Sequence, residues 1–183
     1  FINETDLKQI LHQISDALAF MHGQDLAHLD VKPANIMLCR HSNNISDNNH
    51  DDDINHIIYK LTDLGHVSQI SLSSIEEDGD SRYLALEALQ LSNSKKLNLA
   101  KCDIFSLGLT LYVCATNHEM PRQGNEWQQL RLNIIQYLHS ISHCTNQFNE
   151  LILGHMCHVD PDQRPSAYEV RRNILSIFVT TYD

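Results

Sequence analysis

Residues 28–35 read His-Leu-Asp-Val-Lys-Pro-Ala-Asn, and Asp63-Leu64-Gly65 follows downstream. Few folds can place such a run usefully. His28, Asp30, Lys32, Pro33 and Asn35 must share one loop, because an apolar run, Ile36-Met37-Leu38-Cys39, begins at once and reads as a short buried strand. A second run, Ile57-Ile58-Tyr59-Lys60-Leu61, reads as another strand that delivers Asp63 at its end. An isolated Asp-x-Lys triplet is ordinarily a solvated loop. The whole constellation, in this order, is a different matter.

These residue types suit phosphoryl transfer, which asks a protein mainly for positioning and for neutralisation of phosphate charge. Asp30 can orient an acceptor hydroxyl and take its proton. Lys32 can share a face of an extended loop with Asp30 and bring a compact point charge to a phosphate. Asn35 offers a hard amide oxygen to Mg2+, and Asp63 offers the main carboxylate, with Gly65 allowing a sharp backbone turn.

The rest of the chain predicts a mainly helical (α+β) domain. Leu7, Ile10, Leu11, Ile14, Leu18 and Met21 recur at helical spacing and predict a helix from about Thr5 to His22, capped by Asn3 or Thr5 and stopped near Gly23. Asp103 to Ala115 is apolar nearly all round, the mark of a buried central helix. Trp127, Leu130 and Leu132 mark a short helical stretch, and Phe148, Leu151, Ile152, Leu153 and Met156 the next. After a turn at Pro161 and Pro165, Ser166-Ala167-Tyr168-Glu169 reads as a capping box opening the last helix. His41 to His56, rich in Asn, Asp and Ser, reads as a disordered polar insertion. Its alternating Asp47, Asn49, Asp51 and Asp53 imitate a calcium loop, but Asp52 at the turn position and Ile58 at the twelfth exclude an EF-hand.

A chain of 183 residues buries one good core. A net charge of -10 argues against a nucleic-acid binder. No apolar run approaches the ~20 residues of a membrane span, and the first residues, Phe1-Ile2-Asn3-Glu4, do not form a signal peptide. The missing initiator Met predicts a fragment. Five irregularly spaced Cys predict reduced thiols in an intracellular protein. His155, Cys157 and His158 lack a second ligand pair at zinc spacing.

From Leu7 to about Ile177 the chain resembles the C-terminal lobe of a protein kinase. Within kinases it resembles the Wee family, which inhibits cyclin-dependent kinases. The narrower match rests on His28-Leu29-Asp30 without the usual Arg, on Asp63-Leu64-Gly65-His66-Val67, and on Asp78-Gly79-Asp80-Ser81-Arg82-Tyr83-Leu84-Ala85, with Arg122, Gly124 and Trp127 further on. The resemblance implies a partial kinase domain over 1–183 with ATP and Mg2+ as cofactors. Asp30 and Lys32 would be catalytic, Lys32, Asn35 and Asp63 would bind the nucleotide, and Asn35 and Asp63 would hold the metal. The implied substrate is a tyrosine of a cyclin-dependent kinase–cyclin complex, modified to restrain the onset of mitosis. Lys32 alone would point to a serine or threonine acceptor; the family keeps that Lys yet acts on tyrosine. Val31 and Ala34 resemble membrane-associated relatives, while Leu64-Gly65-His66 and the lack of an anchor point to the nuclear branch and a nuclear location.

The resemblance also implies structural roles. Leu29 stands where many kinases carry an Arg that reads a phosphate on the activation segment, here Val67 to Asp80, so that switch is not expected. Leu86 replaces the Pro of Ala-Pro-Glu at Ala85-Leu86-Glu87. Glu87 is expected to pair with Arg164, the alternative being two surface charges. Asp103 is expected to accept from catalytic-loop amides, the alternative being a helix cap, and His28 to be structural. No two of the six glycines stand two apart, so the chain has no G-x-G phosphate loop. Three readings follow: a Wee-like kinase of which this is the C-terminal lobe, inactive alone; a natural short form or pseudokinase that only binds partners; and a kinase of another family.

Overall fold

Asn3 opens helix α1 (Glu4–Gly23) by accepting the Asp6 N–H at 2.9 Å, with Glu4 and Asp6 in the first turn complementing the helix dipole. The expected stripe of Leu7, Ile10, Leu11, Ile14 and Leu18 is fully buried. Gly23 lies inside the helix rather than after it; Gln24 and Asp25 close the end through bonds to the Met21 and His22 carbonyls, Asp25 in a left-handed conformation. The computed structural model describes residues 2–41, 56–72, 79–89 and 97–179, so the interior of the Asn/Asp-rich insertion and residues 73–78 of the acidic segment lie outside the described residues.

The apolar run at 103–115 becomes the core of a longer helix, which is α3 below. Two short strands precede it in the chain and pair across it: β1 (Leu26–Ala27) with β4 (Ser68–Gln69), antiparallel. Strands β2 (Ile36–His41) and β3 (His56–Leu61) form a second antiparallel ladder in register Ile36 to Leu61. Next come α2 (Leu86–Leu89) and α3 (Leu99–Thr116), capped by Asn98. By length and composition α3 could cross a membrane, yet 72% of it is buried within this fold. Its buried hydroxyls are satisfied there, Ser106 donating to the Tyr83 carbonyl and Thr110 to that of Val31.

Helices α4 (Gly124–Leu132), α5 (Ile134–Tyr137) and α6 (Asn146–Asn149) follow. The chain runs from α6 directly into a π-helix, Glu150–Met156, whose Leu151, Ile152, Leu153 and Met156 are buried. Helix α7 (Ala167–Val179) packs along α1 and opens with the expected capping box: Ser166 Oγ accepts the Glu169 N–H, and Glu169 Oε2 accepts the Ser166 N–H at 2.7 Å. Glu4 joins the start of α1 to that of α6, taking the Thr145 N–H at 2.6 Å and its hydroxyl at 2.9 Å.

The apolar run at 36–39 departs from expectation, whereas the short helical stretch at Trp127, Leu130 and Leu132 is present as α4. Strand β2 is not buried: Met37 is 55% exposed and Leu38 49%. The β2–β3 ladder has only two strands, and the described residues cover it from one side, where α1 packs on β3. Leu132 is exposed although Leu130 is buried. Two residues are about 200° apart around a helix, so both cannot face the core.

Candidate active site

The loop between β1 and β2 carries His28 to Asn35, and its shape is imposed from α3. Asp103, without solvent exposure, accepts the His28 N–H at 2.8 Å and the Leu29 N–H at 2.7 Å. His22 Nε2 lies 2.9 Å from the same carboxylate. Asp103 is the fifth residue of α3, not its cap. This clamp holds Leu29 at φ 62, a region costly for a non-glycine residue. His28 is a bracket in the same loop: its Nε2 donates to the Thr62 carbonyl at 3.1 Å while Nδ1 accepts the Asp30 N–H at 3.3 Å. Both bonds require the tautomer with hydrogen on Nε2.

Asp30 is buried and its carboxylate meets three donors. Oδ2 takes Asn35 Nδ2 at 2.8 Å and Lys32 Nζ at 2.8 Å, and Oδ1 takes the Asp80 N–H at 3.2 Å. An ionised carboxylate has about four lone-pair sites, so one remains for an acceptor hydroxyl. Asn35 also donates to the Asp30 carbonyl at 2.9 Å. Three of the four expected site residues, Asp30, Lys32 and Asn35, are thus brought into direct contact. Asp63 does not touch them. It is exposed, in a left-handed conformation, with its carboxylate on the Gly65 N–H at 3.3 Å. Its neighbour Thr62 is tied to the Asn35 carbonyl by both its N–H, at 2.9 Å, and its hydroxyl, at 3.0 Å, so the two candidate metal ligands sit on adjoining backbone.

The stretch from Gly79 to Leu84 lies against this loop. A Cβ on Gly79 would stand 2.3 Å from the Leu29 carbonyl oxygen, which explains the glycine. Asp80, whose N–H reaches Asp30, is clasped by Arg82, Nε to Oδ1 at 2.9 Å. That hydrogen bond holds the Asp80 carboxyl below its ordinary value despite partial burial. Farther on, Glu87 pairs with Arg164 through Nη1–Oε1 at 2.5 Å and Nη2–Oε2 at 3.1 Å. Arg164 is 2% exposed, donates to the carbonyls of His158, Lys101 and Val159, and lies over the Phe105 ring. Lys101 Nζ donates to the Arg164 carbonyl. This is the buried pair expected, not two surface charges.

A family model described as the protein kinase domain matches residues 1–174. This chain belongs to the protein kinase family. Wee1-like protein kinase 2-A of Xenopus laevis is 38% identical over 177 residues, covering 94% of this chain and 31% of that protein. Wee1-like protein kinase 2 of Danio rerio is 36% identical over 94% of this chain and 32% of its own length, and Wee1-like protein kinase of Drosophila melanogaster is 36% identical over 92% and 29%. The chain spans about a third of the length of these curated relatives.

A protein kinase implies ATP and a divalent metal, and the residues of this loop suit them. Asn35 spends its two N–H groups on Asp30, which leaves its amide oxygen for a cation. Among the described residues there is no cluster of three or more His, Cys, Asp or Glu fit to cage a metal. Mg2+ at phosphoryl-transfer sites takes few protein ligands and completes its shell with phosphate oxygens and water, so a pair such as Asn35 and Asp63 is enough in number to be candidates. Of His155, Cys157 and His158, only Cys157 is buried, against α3, where burial pushes its thiol up to about 12; His155 is exposed. Sequence reasoning missed the two donors from α4, Trp127 and Arg131, that reach the Ser81 carbonyl. Their partners are backbone atoms, which leave no trace in residue type.

Proposed function

We propose that this chain is the C-terminal lobe of a Wee-like kinase that transfers the γ-phosphoryl group of ATP to a tyrosine of a cyclin-dependent kinase–cyclin complex, in the nucleus, and thereby restrains the onset of mitosis. The observation that carries the reading is the Asp30 carboxylate, buried, oriented by Lys32, Asn35 and the Asp80 N–H, and left with one open acceptor position. Asp30 receives the proton of the acceptor hydroxyl. Lys32, mostly buried beside it, turns its charge to the transferred phosphate. Asn35 and Asp63 would hold the metal, which would neutralise phosphate charge. The half-exposed Met37 and Leu38 support the lobe assignment, since the rest of a kinase domain would cover them. The tyrosine and cyclin-dependent kinase assignments rest on likeness to the Wee family.

Leu29 supports a further part of this reading. It is 1% exposed and built into the apolar core, so no cation stands there to read an activating phosphate. The segment is then expected to need no activating phosphate, and phosphatase treatment of the full-length protein is expected to leave activity intact; loss of activity through this segment would overturn that part of the reading. The test is to incubate the full-length protein with Mg-ATP and a cyclin-dependent kinase–cyclin complex and map the phosphate. Phosphotyrosine, lost in Asp30→Asn and Asp63→Asn variants that keep their circular dichroism spectrum, is the expected result. Phosphoserine in an unrelated substrate would favour a kinase of another family. Binding of the complex without any transfer would favour the binding-module reading.

A further inference from the structure

We infer that Arg131 is a positioning residue for the acceptor: from α4 it fixes the backbone of Ser81–Leu84 and so sets where the acceptor hydroxyl meets Asp30. This inference rests on the kinase reading above. Arg131 is 1% exposed and is among the largest fully buried side chains. None of the ion pairs among the described residues includes it. Its guanidinium instead donates to the Leu84 carbonyl at 2.8 Å, the Ser81 carbonyl at 2.6 Å and the Trp127 carbonyl at 3.2 Å. It stacks on the Trp127 ring at 4.0 Å, and the Trp127 indole N–H donates to the same Ser81 carbonyl at 2.9 Å.

Burying a guanidinium without a carboxylate is expensive, and an apolar side chain of similar volume is commonly as stable or more so. What an apolar residue could not do is bind two carbonyls three residues apart. The planar fork of Arg does this, and Lys, a point charge on a flexible stem, does not. The residues so held continue directly from Asp80, whose N–H rests on Asp30 Oδ1 at 3.2 Å. Ser106 Oγ holds the Tyr83 carbonyl between them at 2.9 Å. Side chains of α4, joined by Ser106 of α3, therefore grip the stretch that lies on the candidate base by its main-chain carbonyls.

The test compares full-length wild type with Arg131→Met, Arg131→Lys and Trp127→Phe, varying acceptor peptide and ATP separately. Arg131→Met is expected to raise the KM for the acceptor roughly ten- to hundred-fold, the loss of charged hydrogen bonds, with the KM for ATP within about two-fold of wild type. Arg131→Lys is expected to recover only part of this. Trp127→Phe, which keeps the stacked ring and removes one donor, shifts the same constant in the same direction and serves should Arg131→Met fail to fold. A competent wild type whose Arg131 and Trp127 variants keep the acceptor KM, or lose both constants in parallel, overturns the inference alone. A wild type that transfers no phosphate overturns the kinase reading and this inference with it.

Discussion

Asp103→Asn tests whether one buried carboxylate sets the backbone of the catalytic loop. The native oxygens take the N–H groups of His28 and Leu29 at 2.8 and 2.7 Å. The amide keeps one oxygen and sets an NH2 group where the other stood. One buried N–H then faces a donor, which costs about 1–3 kcal/mol. The surviving bond loses its charge assistance, worth about 1 kcal/mol more. Release of Leu29 from its positive φ returns about 1 kcal/mol. The net loss is about 1–3 kcal/mol, against a typical domain stability of about 5–15 kcal/mol. Amide hydrogen exchange of the full-length protein, followed by mass spectrometry over residues 22–31, reads this directly. Protection there should fall about 5- to 150-fold. Less than a three-fold change would refute the claim that Asp103 holds the loop.

Gly79→Ala should destabilise the protein by about 1–3 kcal/mol and depress phosphoryl transfer, because the new methyl must push the Gly79 backbone off the Leu29 carbonyl; urea unfolding and a peptide assay measure the two effects. Arg164→Met should cost about 3–5 kcal/mol by leaving Glu87 without its partner, read as a fall in urea midpoint at constant m. Glu4 should contribute to acid sensitivity. Burial raises its carboxyl, but Lys8 and Thr145 outweigh this and hold it below the ordinary 4.5. Its stabilisation is therefore complete above about pH 4.5 and lost as pH falls through the lower folded value. Circular dichroism across an acid titration should show a shallower loss in Glu4→Gln than in wild type.

The loop residues were legible because they are contiguous: Asp30, Lys32 and Asn35 touch one another within a single short segment, and the spacing alone announces them. The partnerships of Asp103 and of Glu87 with Arg164 span 74 to 77 positions and were readable only through family resemblance. A capping box announced α7. Apolar patterning found α1, as a periodic stripe, and α3, as a run apolar nearly all round. It could not show that α6 continues as a π-helix, since buried residues at 148, 151, 152, 153 and 156 fit an ordinary helix too. It also mistook β2 for a buried strand, because an apolar run reports affinity for cover and not whether cover is present. Arg131 escaped notice, and Gly79 was named only as part of the family signature without its reason, because each answers to a carbonyl oxygen, which every residue carries.

The side chain of Gln13 has a consequence for how this chain behaves in company. Its amide bonds to the free edge of β3, taking the Tyr59 N–H at 2.7 Å and giving a hydrogen to the Ile57 carbonyl at 3.3 Å, much as another strand would. An unguarded strand edge is a template on which a neighbouring molecule can add. Here the Ile57–Tyr59 stretch of that template is occupied from within by a single glutamine rooted in α1, so this part of the β3 edge is closed to edgewise recruitment. Resistance to aggregation at this place depends on a side chain that takes no part in the chemistry.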